Sequence, residues 1–384
     1  MRRMVLAALA AAVVGGSASA RVASTRVAST PPVAWVVMDS DTGTVLAEHE
    51  AHKHWPPASM AKMMTVLIAM ERVRDKTASL DDPVRTSAWA SRIGGSQVYL
   101  AQGETFPLGE MLRAVMIASA NDAAVAVAEH IAGSTDAFVE LMNKRAKELG
   151  LTDTTYQSVH GLPPGKGQTA DITSAYDLAV LGRALMRFPD VMRWAGTASA
   201  GFRNDTLQMA NTNHLVRTYP GATGLKTGFY VEAGFCVTAT ATRNDMNLIA
   251  VVLGLPRKND SFTEAARLLN ESFAAYRVVA PAKRGAPVGQ IPVAGGSGES
   301  VQAVALDDLR VLVKRADDKG VVVEARIPHL LQAPVKARQS VGDVVVRRGD
   351  VELGRVGVVA DREVSATGWL SWLWNRGLSG STMR

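Results

Sequence analysis

The order in which the apolar pattern changes along the chain restricts its fold more than any other feature. Residues 34–39 and 44–47 are apolar runs on either side of Asp41-Thr42-Gly43, which reads as a β-hairpin. Helical spacing then takes over at 60–71, 108–131, 135–149 and 173–188, and strand patterns return at 225–228, 235–241 and 248–255. A closing helix is predicted over 262–276, with Phe262, Ala265, Ala266, Leu269 and Phe273 on its apolar side. Strands first, helices in the middle, and strands with a helix last describe one sheet completed by both ends of this region. The helices form a cluster inserted between them, an α/β (α+β) arrangement.

Punctuation residues sharpen these limits. Gly133 stops the second helical block, Ser134 caps the third, which ends at Gly150, and Thr173 or Ser174 caps the fourth. Segment 160–168 is rich in glycine and proline and must be a loop. Past Tyr276 the texture changes: Pro281, Pro287, Pro292 and Gly295-Gly296 punctuate short β-rich runs at 301–306, 310–314, 321–327 and 351–359. A first domain over 32–277 and a second, smaller all-β domain over 278–365 are expected.

At 384 residues with 47% hydrophobic content, the chain has enough core for two domains. Met1-Arg2-Arg3, an apolar run over 4–14 and small residues ending Ala18-Ser19-Ala20 form the parts of a secretory signal peptide, 1–20. The run is well short of the ~20 residues that span a bilayer. Secretion to a periplasm is expected. A repeated Arg-Val-Ala-Ser-Thr beginning at Arg21 and Arg26 reads as a spacer, 21–31. Cys236, the single cysteine, excludes an internal disulfide and sits in an apolar strand pattern as a packed side chain. Net charge is +6, falling to +4 once Arg2 and Arg3 are removed. This surplus suits an acidic polymer or an anionic membrane face, and no aromatic-interleaved basic stripe argues for nucleic acid. The tail 366–384 carries Trp369, Trp372 and Trp374, three of the seven tryptophans, followed by Arg376. It is too short to cross a bilayer and suited to lying in its surface, with the protein peripheral on the outer face of the cytoplasmic membrane.

Chemistry enters at Pro57-Ala58-Ser59-Met60-Ala61-Lys62, where a proline-marked loop gives way to the first helix. Its apolar residues Met63, Met64, Leu67, Ile68 and Met70 form a stripe that buries one face. Ser59 falls at the N-terminal edge and Lys62 about one turn on, so hydroxyl and amine can approach each other. An amine that is buried and crowded by another cation loses its proton near neutral pH and can activate the serine. Ser-x-x-Lys alone is better read as a capping serine and a solvated lysine, because such spacings are common. Two further pieces decide: Ser119-x-Asn121 at a break between helices, and Lys226-Thr227-Gly228 on a strand.

Three motifs in this order make the chain resemble the penicillin-binding, serine-acylating family of transpeptidases, carboxypeptidases and serine β-lactamases. The likeness covers roughly 32–276, including Gly94-Gly95-Ser96, His160-Gly161-Leu162 and Gly224-Leu225. With the β-rich second domain and amphipathic tail, the whole chain is most similar to the low-molecular-mass D-alanyl-D-alanine carboxypeptidases. The resemblance implies a serine β-lactamase/transpeptidase-like domain that acylates Ser59, with Lys62 as base and Ser119 relaying the proton to the leaving amine. Asn121 then holds both an N–H and a C=O of the substrate peptide, while Lys226 supplies a fixed positive charge and Thr227 a hydrogen bond to its terminal carboxylate. An oxyanion hole from the backbone N–H groups of Ser59 and Phe229, beside Gly228, is also implied. The implied substrate is a peptidoglycan stem peptide, and β-lactam antibiotics are implied covalent inhibitors. Phe229 departs from the family, where histidine is common.

A D,D-endopeptidase would use the same residues. A β-lactamase would too, although no Glu-x-x-Leu-Asn setting is present, and a non-catalytic binding module is opposed by the intact Ser59 and Lys62. His52 and His54 have the spacing to ligate zinc from one face of a strand. No His-Glu-x-x-His or cysteine ligands accompany them, so neither metal nor cofactor is expected.

Overall fold

The computed structural model describes residues 31–296 and 300–367. The expected signal peptide and the tryptophan-rich segment of the tail lie outside the described residues. β1 (Ala34–Asp39) and β2 (Val45–His49) form the hairpin, and a 3-10 turn over Ala58–Ala61 runs into α1 (Lys62–Arg74). β3 (Pro83–Arg85) and β4 (Thr105–Pro107) pair ahead of α2 (Leu108–Ile117), α3 (Asn121–Ala132), α4 (Thr135–Glu148), α5 (Ala175–Leu185) and α6 (Pro189–Ala195). A small hairpin, β5 (Ser199–Phe202) and β6 (Leu207–Ala210), and the single turn α7 (Leu215–Thr218) lead to β7 (Ala222–Tyr230), β8 (Gly234–Arg243), β9 (Met246–Leu255) and α8 (Lys258–Ala275).

Five of these strands make one antiparallel sheet in the order β2-β1-β9-β8-β7. Both ends of the domain thus contribute to it, with β1 paired to β9 from Ala34↔Leu253 to Asp39↔Leu248. The sheet is covered on both sides. Ile249, Val251 and Leu253 of β9 pack into the helical cluster, while Leu248, Ala250 and Val252 meet Phe262, Ala265, Leu269 and Phe273 of α8. A strand apolar on both faces reads as a continuous run rather than an alternation, which is the pattern of 248–255.

α1 departs from the expected one-sided stripe. Met63, Met64, Val66, Leu67 and Ala69 have no exposed surface, so the helix is wrapped on all sides. Its polar Thr65 is satisfied by the Val159 carbonyl at 2.8 Å. Caps fall where expected: Gly133 is left-handed, and Ser134 and Ser174 accept from Ala137 N and Asp177 N. α8 begins four residues early, because its first turn is polar and carries no apolar signal. α6 and the β5–β6 hairpin are too short to show a period.

α8 runs directly into β10 (Tyr276–Ala282), whose partner is β13 (Leu309–Lys314). β11 (Pro287–Ala294), β12 (Ser300–Ala305), β14 (Val321–Arg326), β15 (Leu331–Gln332), β16 (Ser340–Arg348) and β17 (Val351–Ala360) form a six-stranded sheet in the order β14-β16-β17-β12-β11-β15. Its core, including Ile291, Val301, Ala303, Val346 and Val358, is a cluster of its own. The second domain is all-β. Because its core is separate, Ile291→Ala should destabilise this domain by about 2–5 kcal/mol. Calorimetry should then show one transition moved to lower temperature, with the transition of the first domain unchanged.

Candidate active site

Ser59 sits where three backbones converge. Ala58 before it is left-handed, with φ +48°, a conformation that strains a residue bearing a Cβ. Two glycines allow the approach. A Cβ on Gly161 would stand 1.8 Å from the Ala58 carbonyl oxygen, and one on Gly228 would stand 2.5 Å from the Pro57 oxygen and 3.3 Å from Ser59 N. β7 therefore lies directly against the turn that carries the serine hydroxyl.

Lys62, the first residue of α1, is fully buried and donates from Nζ to Ser59 Oγ at 2.8 Å and to the His160 carbonyl at 2.7 Å. Burial holds its amine well below the ordinary lysine range, and Lys226 pushes the same way, while Asp171 and Asp122 oppose them. His160 belongs to the glycine- and proline-rich loop, and its main-chain carbonyl holds the Lys62 amine. Burial, with Lys62 as a smaller contributor, pushes the imidazole down to about 4, so the ring is neutral. Asp171 anchors this loop, accepting from Gln157 N, Ser158 N and Ser158 Oγ, and Ser158 Oγ in turn accepts from Gly161 N at 2.8 Å.

Ser119 occupies the break between α2 and α3, again left-handed with φ +61°. Its hydroxyl accepts from Lys226 Nζ at 2.8 Å. Asn121 opens α3 and donates from Nδ2 to the Gly94 carbonyl at 2.7 Å, which leaves its buried Oδ1 without a partner. One of its two N–H bonds is thus committed within the protein. Gly95 makes room for that amide: a Cβ there would be 2.6 Å from Nδ2. Asp122, fully buried, accepts from Val98 N, Leu100 N and Ala123 N and so fixes the loop 94–100 against α3.

On β7, Lys226 is opposite Thr238, whose hydroxyl meets Met60 Sδ at 3.4 Å, so the lysine faces the helical cluster. It is completely buried, and burial pulls its amine down to about 7. The positive charge implied for Lys226 is thereby opposed by the burial of its amine. Thr227 donates to Thr212 Oγ1 at 2.7 Å, a contact with no signal in the sequence. Phe229 is 52% exposed and stacked on Phe235, with ring centroids 4.0 Å apart. A cleft of about 230 Å³ is lined by Ser59, Ser96, Ser119, Thr227, Gly228 and Phe229. Lys62, Asn121 and Lys226 lie buried behind it. All eight residues singled out from the sequence come together.

Cys236 is buried beside the cleft, its thiol pushed up to about 12 by burial and accepting from Gly254 N, which makes it a packed side chain. His52 lies in a turn and His54 in the irregular stretch after it, neither on a strand, and both face Asp153, at 2.8 and 3.7 Å.

A family model described as D-alanyl-D-alanine carboxypeptidase, peptidase S11, matches residues 21–257. A second, described as penicillin-binding protein 5, C-terminal domain, matches 276–366. The chain is 34% identical over 342 residues to the D-alanyl-D-alanine carboxypeptidase DacF of Bacillus subtilis (strain 168), covering 88% of this chain and 87% of that one. It is 32% identical over 352 residues to DacC of Escherichia coli (strain K12), covering 89% and 86%. Among solved structures, penicillin binding protein 5 from Haemophilus influenzae superposes with a TM-score of 0.69 at 27% identity, over 87% of this chain and 97% of that one. PBP3 from Streptococcus pneumoniae gives 0.72 at 25%, over 87% and 99%. With the peptidase S11 model matching residues 21–257 and relatives above 30% identity spanning most of both chains, the chain belongs to the peptidase S11 family of D-alanyl-D-alanine carboxypeptidases.

Proposed function

We propose that the chain removes the terminal D-alanine from peptidoglycan stem peptides through an acyl-enzyme on Ser59. One observation carries this reading: a fully buried amine, Lys62 Nζ, lies 2.8 Å from Ser59 Oγ and is depressed by burial and by a second buried amine. A neutral amine at that distance accepts the hydroxyl proton as the oxygen attacks the carbonyl between the two D-alanines. The oxyanion then faces the Ser59 and Phe229 backbone N–H groups, a kind of contact worth about 3 kcal/mol per donor. Ser119, bonded to Lys226, relays the proton taken up by Lys62 to the amine of the departing D-alanine as the C–N bond breaks, which returns Lys62 to its neutral form. Water hydrolyses the ester and regenerates Ser59. Lys226 receives the terminal carboxylate, joined by Thr227 once its hydroxyl turns from Thr212, and Asn121 Oδ1, without a partner in the protein, accepts from a substrate N–H. β-Lactams acylate the same oxygen.

Export of the protein to the periplasm rests on the pattern of residues 1–20, and attachment to the outer face of the cytoplasmic membrane rests on Trp369, Trp372, Trp374 and Arg376. Deleting 369–384 should move the protein from sedimenting anionic vesicles to the supernatant; co-sedimentation unchanged by the deletion would remove the anchor.

Hydrolysis of a peptide ending in D-Ala-D-Ala, followed as released D-alanine, should fall by about six orders of magnitude in Ser59→Ala. Equal release by that variant would exclude the serine mechanism. The pH dependence follows from the two amines. Lys62 acts only when unprotonated, so kcat/KM rises with pH through its depressed pKa. Lys226 attracts carboxylate only when protonated, so kcat/KM falls as it deprotonates around pH 7 and above. A bell-shaped profile is expected, with its alkaline limb absent in Lys226→Met.

A further inference from the structure

Tyr99 is 70% exposed although its neighbours Val98 and Leu100 are buried. Its backbone is left-handed, φ +56°, which few bulky residues adopt. The cause is visible. Val98 N and Leu100 N, on either side of it, both donate to the buried carboxylate of Asp122, at 3.1 and 3.0 Å, and this pair of bonds turns the intervening residue outward. The Tyr99 carbonyl is held as well, accepting from Arg203 at 3.0 Å. That guanidinium is itself fixed by Glu104 at 2.7 Å and lies over the rings of Phe106 and Phe202. Arg203 belongs to the β5–β6 turn, where Asn204 and Asp205 are exposed and also left-handed, with φ +51° and +63°.

A strained backbone maintained by buried bonds while an aromatic ring stays in water is a pattern associated with ligand contact rather than packing. The chain also bounds how far Tyr99 can stand from the cleft. Ser96 lines the cleft and Tyr99 follows three residues later, at most about 10 Å away along the chain. In a stem peptide bound for cleavage, the sugar that carries it stands three or four residues back from the scissile bond, about 10–14 Å away when extended.

We propose that Tyr99 is a stacking platform for an N-acetylated hexosamine ring of the glycan that carries the stem peptide. A pyranose presents an apolar face of C–H groups, which covers a phenol ring. The location of the sugar relative to the cleft rests on the proposed D,D-carboxypeptidase activity; the platform itself does not.

The test separates the two. The full chain carrying Ser59→Ala is titrated with a peptide-free N-acetylglucosamine tetramer by calorimetry, with and without Tyr99→Ala. Binding should weaken about five- to tenfold without the ring and persist in Tyr99→Phe. In steady-state assays on the Ser59 enzyme, Tyr99→Ala should raise KM about fivefold for a disaccharide-linked pentapeptide, leaving kcat unchanged and the free pentapeptide unaffected. Absent sugar binding, equal sugar affinity in both proteins, or an equal KM rise for both substrates would overturn the platform. Failure of the Ser59 enzyme to cleave either peptide would overturn the activity instead, and the sugar titration would still decide the platform.

Discussion

Two lysine amines taken out of water and aimed at two serine hydroxyls are the interaction on which the rest of this structure depends. Lys62 and Lys226 have no exposed surface, and neither is neutralised by a carboxylate at hydrogen-bonding distance among the described residues. Burying an ammonium without a counter-ion is strongly unfavourable, so the fold responds by shifting both amines towards the neutral form. Each then needs acceptors for the N–H bonds it retains. Ser59 Oγ and the His160 carbonyl serve Lys62, and Ser119 Oγ and the Thr227 carbonyl serve Lys226. The depressed basicity that a base needs is thus a consequence of location.

That location exists because the helical cluster and the sheet meet along the β7 edge. β7 is the outermost strand on its side, and the turn bearing Ser59 runs against it. A side chain at Gly228 or Gly161 would wedge this seam apart, so the two glycines act by what they lack. α1 fixes the other coordinate. Being wrapped on all sides, it holds the distance between Ser59 and Lys62 far more firmly than a surface helix would.

How much of this could be read from residues alone follows the range of each signal. The two-ended sheet was legible because β1 and β9 are strongly apolar and separated by helical periods. The break at Ser119 was legible because polar residues interrupt a long helical pattern, and Ser134 and Gly133 because caps are local chemistry. Local patterns do not report what a side chain meets across the fold. Nothing near Thr212 announces its bond to Thr227, and nothing at His160 announces that its carbonyl, rather than its ring, would meet Lys62. The complete burial of Lys226 is likewise invisible locally, since a motif carries residue type and not burial.

Left-handed backbone at Ala58 and Ser119 then has a physical interpretation. Each lies on a segment that ends one element and starts another, and each puts a hydroxyl, its own or its neighbour's, into the cleft. Neither conformation would persist on a free loop, because both carry strain that a relaxed chain escapes. They persist because the helices beginning immediately afterwards, α1 and α3, are buried through their first turns, and because Asp171 and Asp122 bind the facing loops from behind. The apolar core therefore does more than keep the domain folded: it supplies the rigidity against which two serines are held in positions they would not choose.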